Sequence, residues 1–305
     1  MITRRKAIQL VGKLATAAVV AGIRSSGSAM AMALSHLPAA EDDPIPPLAA
    51  GAPMSQKRRA LIDAFQEKSA GLELKYEGRA HKSEWTMPYR LFRPETSAKV
   101  PLIVYLHGSG GLGDDNLKQL GLGNIFGTRV WLLAENQLRF PSYVLVPQTD
   151  RGWVRYDPEL LAKGETKVVR GLGDGNRLVL EIVNKLLEEF AIDDRRIYVT
   201  GQSMGGAGVW NMTAHRPHFF AAAAPCCGGL SLDDPVQSAA TPVWAFHGAA
   251  DKTVLVSASR ERIVALRNAG AHPLYTEYAG VDHNSWEWAY TEPALVEWVF
   301  AQQRR

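Results

Sequence analysis

Cysteine is almost missing from this 305-residue chain, which has only Cys226 and Cys227, side by side in Pro225-Cys226-Cys227-Gly228-Gly229. A bond between neighbouring cysteines closes a strained ring, so a disulfide scaffold is excluded. The pair reads as two small buried residues at a strand end, with a redox switch as the other reading. An excess of charge is missing too. The formal net charge is +3, but residues 1–33 hold Arg4, Arg5, Lys6, Lys13 and Arg24 with no acid. Without them, the 34 basic residues fall to 29 against 31 acidic, a net of −2. A near-neutral body offers no field for nucleic acid or an anionic lipid surface. There is no internal repeat, and past Ile23 no stretch approaches the roughly 18 apolar residues that a spanning helix needs.

What the N-terminus does contain is an export pattern. Thr3-Arg4-Arg5-Lys6 precedes an apolar run from Ala7 to Ile23, and small residues around Ala31 and Ala33 offer cleavage sites. It resembles a bacterial twin-arginine signal, which exports proteins already folded and suits a chain without structural disulfides. A membrane anchor is the other reading, although Lys13 and the small residues make the run short and only moderately apolar. With no cysteine nearby, a lipoprotein anchor is excluded. Residues 1–33 are thus expected to be a signal, 34–54 (with Pro38, Pro44, Pro46, Pro47 and Pro53) an extended linker, and 55–305 one folded domain. After cleavage no stable membrane insertion is expected.

Within the domain, Ser55–Ala70 reads as an amphipathic helix, capped by Ser55 and burying Leu61, Ile62 and Phe65. Leu72–Glu77 and Thr86–Phe92 read as early antiparallel strands. Four β-branched or aromatic runs follow at Pro101–Leu106, Tyr143–Pro147, Arg196–Thr200 and Pro242–Gly248, with a fifth at Pro273–Tyr278. Helical patterns at 176–190, 204–214, 254–268 and 293–302 alternate with them. Strands alternating with helices predict an α/β architecture: a mostly parallel central sheet with helices on both faces.

The strand at 196–200 runs into Gly201-Gln202-Ser203-Met204-Gly205, and a helix follows at once. A Gly-x-Ser-x-Gly pentapeptide in that context holds its serine on a sharp, strained turn with the hydroxyl exposed. Such a serine needs a base and a group to orient that base. Asp251 and His283 each fall on a loop just past a strand, in the order serine, acid, histidine. Asp282 is a rival acid, but adjacency makes it hard for its carboxylate to reach the ring of His283. The glycine loop His107-Gly108-Ser109-Gly110-Gly111 lies where an oxyanion donor is supplied. The backbone amides of Met204 and Ser109 are the expected pair, with Gly108 and Gly110 as alternatives to Ser109.

These segments, together with Val146-Pro147-Gln148 and Gly280-Val281-Asp282-His283-Asn284-Ser285-Trp286, carry a resemblance from about Tyr89 to Gln302. The chain resembles the α/β-hydrolase superfamily, in detail the bacterial esterases and predicted peptidases related to polyhydroxybutyrate-depolymerase-like and feruloyl or acetyl-xylan esterases. The resemblance implies the α/β-hydrolase fold, a Ser203–His283–Asp251 triad and neither a metal nor an organic cofactor. It leaves the ester open. A small-molecule or polysaccharide-linked ester is the expected substrate, with periplasmic or secreted localisation following from the signal. A serine peptidase of the same fold and a non-catalytic binding protein on a hydrolase scaffold are the alternatives.

Trp153, Trp286 and Gln202 are the candidate substrate contacts; each tryptophan is either a cleft wall or a packing residue. The basic and aromatic stretch Arg151–Gly175 is either a binding loop or an ordinary insertion. His107 and His247, each before a glycine at a strand end, read as loop ties rather than as bases toward Ser203. His215 and His218 read as surface residues.

Overall fold

The structure, a computed structural model, describes residues 56–155, 157, 159, 169–229 and 235–304. The expected signal at 1–33, the linker at 34–54, the Ser55 cap and most of the stretch at 156–168 lie outside the described residues.

Helix α1 (Gln56–Ser69) leads into strands β1 (Glu77–Lys82), β2 (Thr86–Phe92), β3 (Val100–Leu106) and β4 (Tyr143–Pro147). Helix α2 (Asp174–Glu189), β5 (Ile192–Gln202), α3 (Met204–His215), β6 (Ala222–Cys226) and β7 (Trp244–Gly248) follow. Helix α4 (Ser257–Asn268), β8 (Leu274–Tyr278), α5 (Trp286–Ala289) and α6 (Leu295–Ala301) complete the frame. The strands form one sheet in the order β1-β2-β4-β3-β5-β6-β7-β8. β1–β2 and β2–β4 are antiparallel, and every other neighbouring pair is parallel.

The two faces of the sheet follow from alternation along the strands. Leu102, Val104 and Leu106 of β3 point one way, with Leu145, Ile197 and Val199, onto Leu178, Ile182 and Leu186 of α2 and Val209 and Met212 of α3. Ile103 and Tyr105 point the other way, with Val144, Val146 and Tyr198, toward Ile62 and Phe65 of α1 and Leu295 and Trp298 of α6. Every residue of β3 is buried, which explains a run without polar interruptions. Truncating a fully enclosed residue such as Leu102 to alanine would cost about 2–5 kcal/mol.

Two expectations need correction at the start of the domain. Leu72–Lys75 is a turn of 3₁₀ helix, entered through Gly71 at φ 76°, and the first strand begins only at Glu77. That strand, Glu-Gly-Arg-Ala-His-Lys, is the sheet edge and has little to bury, so it lacks apolar alternation. Leu61 is exposed, whereas Ile62 and Phe65 are buried.

Because β3 and β5 to β8 run parallel, their carboxyl ends share one edge. The loops that leave it begin at His107, Ser203, Cys227, Ala249 and Ala279, at the rim where open α/β sheets bind ligands.

Candidate active site

Ser203 is the single residue between β5 and α3. Its backbone is held at φ 53°, ψ −119°, a region that residues with a Cβ avoid. The Ser203 amide donates to the Cys226 carbonyl at 2.9 Å, and its carbonyl accepts from the Ala207 amide at 3.0 Å, so both sides of the strained residue are tied. The flanking glycines are required by contact. A Cβ at Gly205 would lie 1.9 Å from the Leu106 carbonyl oxygen, and one at Gly201 2.7 Å from the same atom. The start of α3 therefore abuts the end of β3, and its N-terminal amides face the Ser203 side of the rim.

The other two residues of the expected set converge on this serine. Ser203 Oγ lies 2.8 Å from His283 Nε2, and His283 Nδ1 lies 2.8 Å from Asp251 Oδ2. The Asp251 side chain is completely buried, and its Oδ1 accepts from the Thr253 and Val254 amides, each at 2.9 Å. A carboxylate acceptor on Nδ1 fixes the tautomer: Nδ1 carries the proton, leaving the Nε2 lone pair toward the Ser203 hydroxyl. Asp282 takes another role. Its Oδ1 accepts from the His283 and Lys252 amides at 2.8 and 3.1 Å, which lowers its pKa and clips the two loops together.

The glycine loop stands beside the elbow, and its Ser109–Gly111 segment is a 3₁₀ turn. A Cβ at Gly108 would lie 3.5 Å from the Gln202 carbonyl oxygen, so this loop is packed directly on the strand that delivers Ser203. Among the described residues, neither the Ser109 nor the Met204 amide has a protein acceptor. The Gly108 amide donates to Asn124 Oδ1 at 2.9 Å and is thereby committed elsewhere.

Trp153 lies away from any cleft. It is wholly buried, donates from Nε1 to the His107 carbonyl at 2.8 Å and packs edgewise on the His107 ring. The expected cleft wall is thus a prop beneath the glycine loop, because the start of α2 packs on it: a Cβ at Gly175 would lie 3.3 Å from the indole, and one at Gly173 1.9 Å from the Trp153 carbonyl oxygen. Gln202 is also withdrawn, at 3% exposure, with Oε1 accepting from the Tyr105 hydroxyl at 2.8 Å. Alternation along β5 directs it into the layer under the loop. Trp286, half-buried, stands edge-on to the His283 ring with centroids 5.3 Å apart, and remains beside the reacting groups.

His107 ties loops together as expected. Its Nδ1 donates to the Gly108 carbonyl at 2.8 Å and its Nε2 accepts from the Thr149 amide at 3.2 Å. Burial lowers its pKa to about 4, so it is neutral. Asn124 and Leu122 escaped the sequence reading, since neither lies in a recognisable motif. Leu122 is strongly exposed at φ 48° next to Gly110, an apolar side chain on a backbone that leucine seldom adopts.

Cys226 and Cys227 are free and buried. Cys227 Sγ, an Asp251 oxygen and a His283 nitrogen lie within 4.8 Å of one another, a donor set with the chemistry to ligate a thiophilic metal. Yet both Asp251 oxygens and both His283 nitrogens are already in hydrogen bonds, so an ion would have to displace them.

No family model matches the chain. A protein of Arthroderma benhamiae called "Uncharacterized secreted protein" is 26% identical over 233 residues, 64% of this chain and 23% of its own length. A thermostable esterase of known structure is 33% identical with a TM-score of 0.67, covering 75% of this chain and 64% of that one. A ferulic acid esterase is 17% identical with a TM-score of 0.55, covering 74% of this chain and 99% of that one. The chain thus spans under two thirds of the length of both the secreted protein and the thermostable esterase. Among the described residues, no helix is long and apolar enough to cross a membrane. Sheet order, elbow and structural neighbours agree: the chain has the α/β-hydrolase fold.

Proposed function

We propose that the chain is an exported serine carboxylesterase that works through an acyl-enzyme intermediate. The observation that carries this reading is the pair of 2.8 Å contacts joining Ser203 Oγ, His283 and Asp251. Neutral His283 takes the Ser203 proton through Nε2 as Oγ attacks the ester carbonyl. The Met204 and Ser109 amides, free of protein acceptors, receive the oxyanion. His283, now cationic and stabilised by Asp251, passes the proton to the departing alcohol. Water repeats the sequence on the acyl-serine, and the acid leaves.

Trp286, beside His283, and Leu122, beside Gly110, offer apolar surface to the acyl or alcohol part. Polysaccharide-linked acyl groups are the substrates that an exported enzyme with such an aromatic edge would meet. Export itself rests on the paired arginines and apolar run of residues 1–33.

The experiment is hydrolysis of a short-chain p-nitrophenyl ester by the native chain and Ser203→Ala. Turnover should fall by about 10⁶, as for other triad nucleophiles. Retention of more than a few per cent would remove Ser203 from the mechanism. Cleavage of aminoacyl amides but not of acyl esters would turn the reading to a peptidase. Failure to react with a fluorophosphonate would turn it to a binding protein.

A further inference from the structure

We propose that His247 is a positioning residue of this site, its Nε2–H holding Asp251 Oδ2 so that five side chains act as one hydrogen-bonded series. The proposal rests on the triad reading above and extends it inward. His247 ends in a fully buried position one residue before the close of β7, and its Nε2 lies 3.1 Å from Asp251 Oδ2 and 2.9 Å from the Val254 carbonyl. Its Nδ1 lies 2.7 Å from Ser259 Oγ, at the start of α4.

The direction of each bond follows from donor chemistry. A carbonyl and a carboxylate both face Nε2 and neither can donate, so Nε2 carries the proton. Nδ1 is then an acceptor and the Ser259 hydroxyl donates to it. Burial lowers the His247 pKa, which keeps the ring neutral beside the carboxylate. The series runs Ser259 Oγ–H to His247, His247 Nε2–H to Asp251, His283 Nδ1–H to Asp251 and Ser203 Oγ–H to His283. The His247 proton faces the Val254 carbonyl and is shared with Asp251 Oδ2, the oxygen that His283 Nδ1–H also meets. Asp251 Oδ1 is meanwhile held by the two backbone amides, so the carboxylate accepts three hydrogen bonds and has the His247 Nε2 edge 3.1 Å from Oδ2.

A tie that only joined loops would need the Val254 contact alone. The contact with Oδ2 adds an electrostatic effect. A neutral N–H drawing on Oδ2 reduces the negative charge that His283 meets at Nδ1. Removing that donor strengthens the pull of the carboxylate on the imidazolium and moves the protonation of His283 to higher pH. The other charged or titratable groups around His247 are Glu277 across from it on β8, itself paired with Arg260, Lys252 and Asp282 on the flanking loops, and Cys226 and Cys227 at the end of β6.

The test compares His247→Phe with His247→Gln, whose Nε2 sits near that of histidine and can donate. For folded His247→Phe, kcat/KM should fall about 10–100-fold, the range that loss of an orienting partner costs elsewhere. The acid limb of its pH profile should move to higher pH, and Gln should restore both. A folded Phe variant with an unmoved acid limb overturns the proposal. Nitrogen-15 NMR of the native protein provides a readout independent of activity and of variant folding. His247 should be the neutral Nε2–H tautomer at pH 8; an Nδ1–H tautomer there overturns the proposal. If Ser203→Ala kept its activity, the triad reading would fail while this tautomer could still be found, so the two failures are distinguishable.

Discussion

Taking the protein from pH 7 to pH 5 should weaken it through His107, a residue with no part in proton transfer. In the folded state burial holds its pKa at about 4, against an ordinary 6.5. Its Nε2 faces the Thr149 amide, so protonation would set two N–H groups against each other. Between those two values the unfolded chain binds a proton that the folded chain refuses, so stability falls as pH falls. The full effect is about 3 kcal/mol, and about 2 kcal/mol of it develops between pH 7 and pH 5. Other titrating groups contribute as well, so the assay is urea denaturation of the native chain and His107→Gln in parallel. The glutamine oxygen can still accept from Thr149, but it cannot titrate. The variant should be less stable at pH 7, having lost the bond to the Gly108 carbonyl, and the gap should shrink by about 2 kcal/mol by pH 5. Parallel stability curves for the two proteins would refute the reasoning.

Two further predictions separate neighbouring residues by role. Asp251→Asn should lower kcat by about 10⁴ because His283 would lose its tautomer, whereas exposed Asp282→Asn should stay within about tenfold; steady-state kinetics on one ester decide it. Trp153→Phe, which deletes the donor to the His107 carbonyl, should cost about 1 kcal/mol in denaturation and leave KM unchanged across an ester panel. Trp286→Ala should instead change KM from one ester to the next, and equal KM shifts in both variants would undo that division.

Most of the frame is legible in the chain because a strand buried on both faces must be a short, nearly unbroken apolar run. Val100–Leu106, Tyr143–Pro147 and Trp244–Gly248 satisfy that condition and appear within a residue or two of where their composition puts them. β1 is misread because an edge strand needs no apolar side, and a 3₁₀ turn at Leu72–Lys75 mimics strand alternation over four residues. Among site residues, those on motifs at strand ends are brought together, since parallel strands deliver their carboxyl ends to one rim. Trp153 and Gln202 go the other way for a reason that local sequence does not contain. Whether a side chain beside the nucleophile faces the cleft or the layer below depends on the pleat of β5 and on the path of the chain after β4. Asn124 is likewise invisible in sequence, since it matters through partners brought close by the fold, and His247 is legible there only as a loop tie.

β6 shows why one strand was hard to read and why it must be that way. Ala222-Ala223-Ala224-Pro225-Cys226 has low strand propensity, yet it lies between β5, which delivers Ser203, and β7, which delivers Asp251. Its end must pass under α3. A Cβ at Gly206 would lie 2.5 Å from the Cys226 carbonyl oxygen, and one at Gly228 only 2.2 Å from the Gly206 carbonyl carbon. Cys227 adopts φ 41° in the same crowded turn and brings Sγ close to Asp251 and His283. Larger β-branched residues would make a clearer strand and push α3 outward, taking with it the Met204 amide and the elbow. The small residues that hide β6 from a propensity reading are therefore what allow serine, imidazole and carboxylate to close to 2.8 Å.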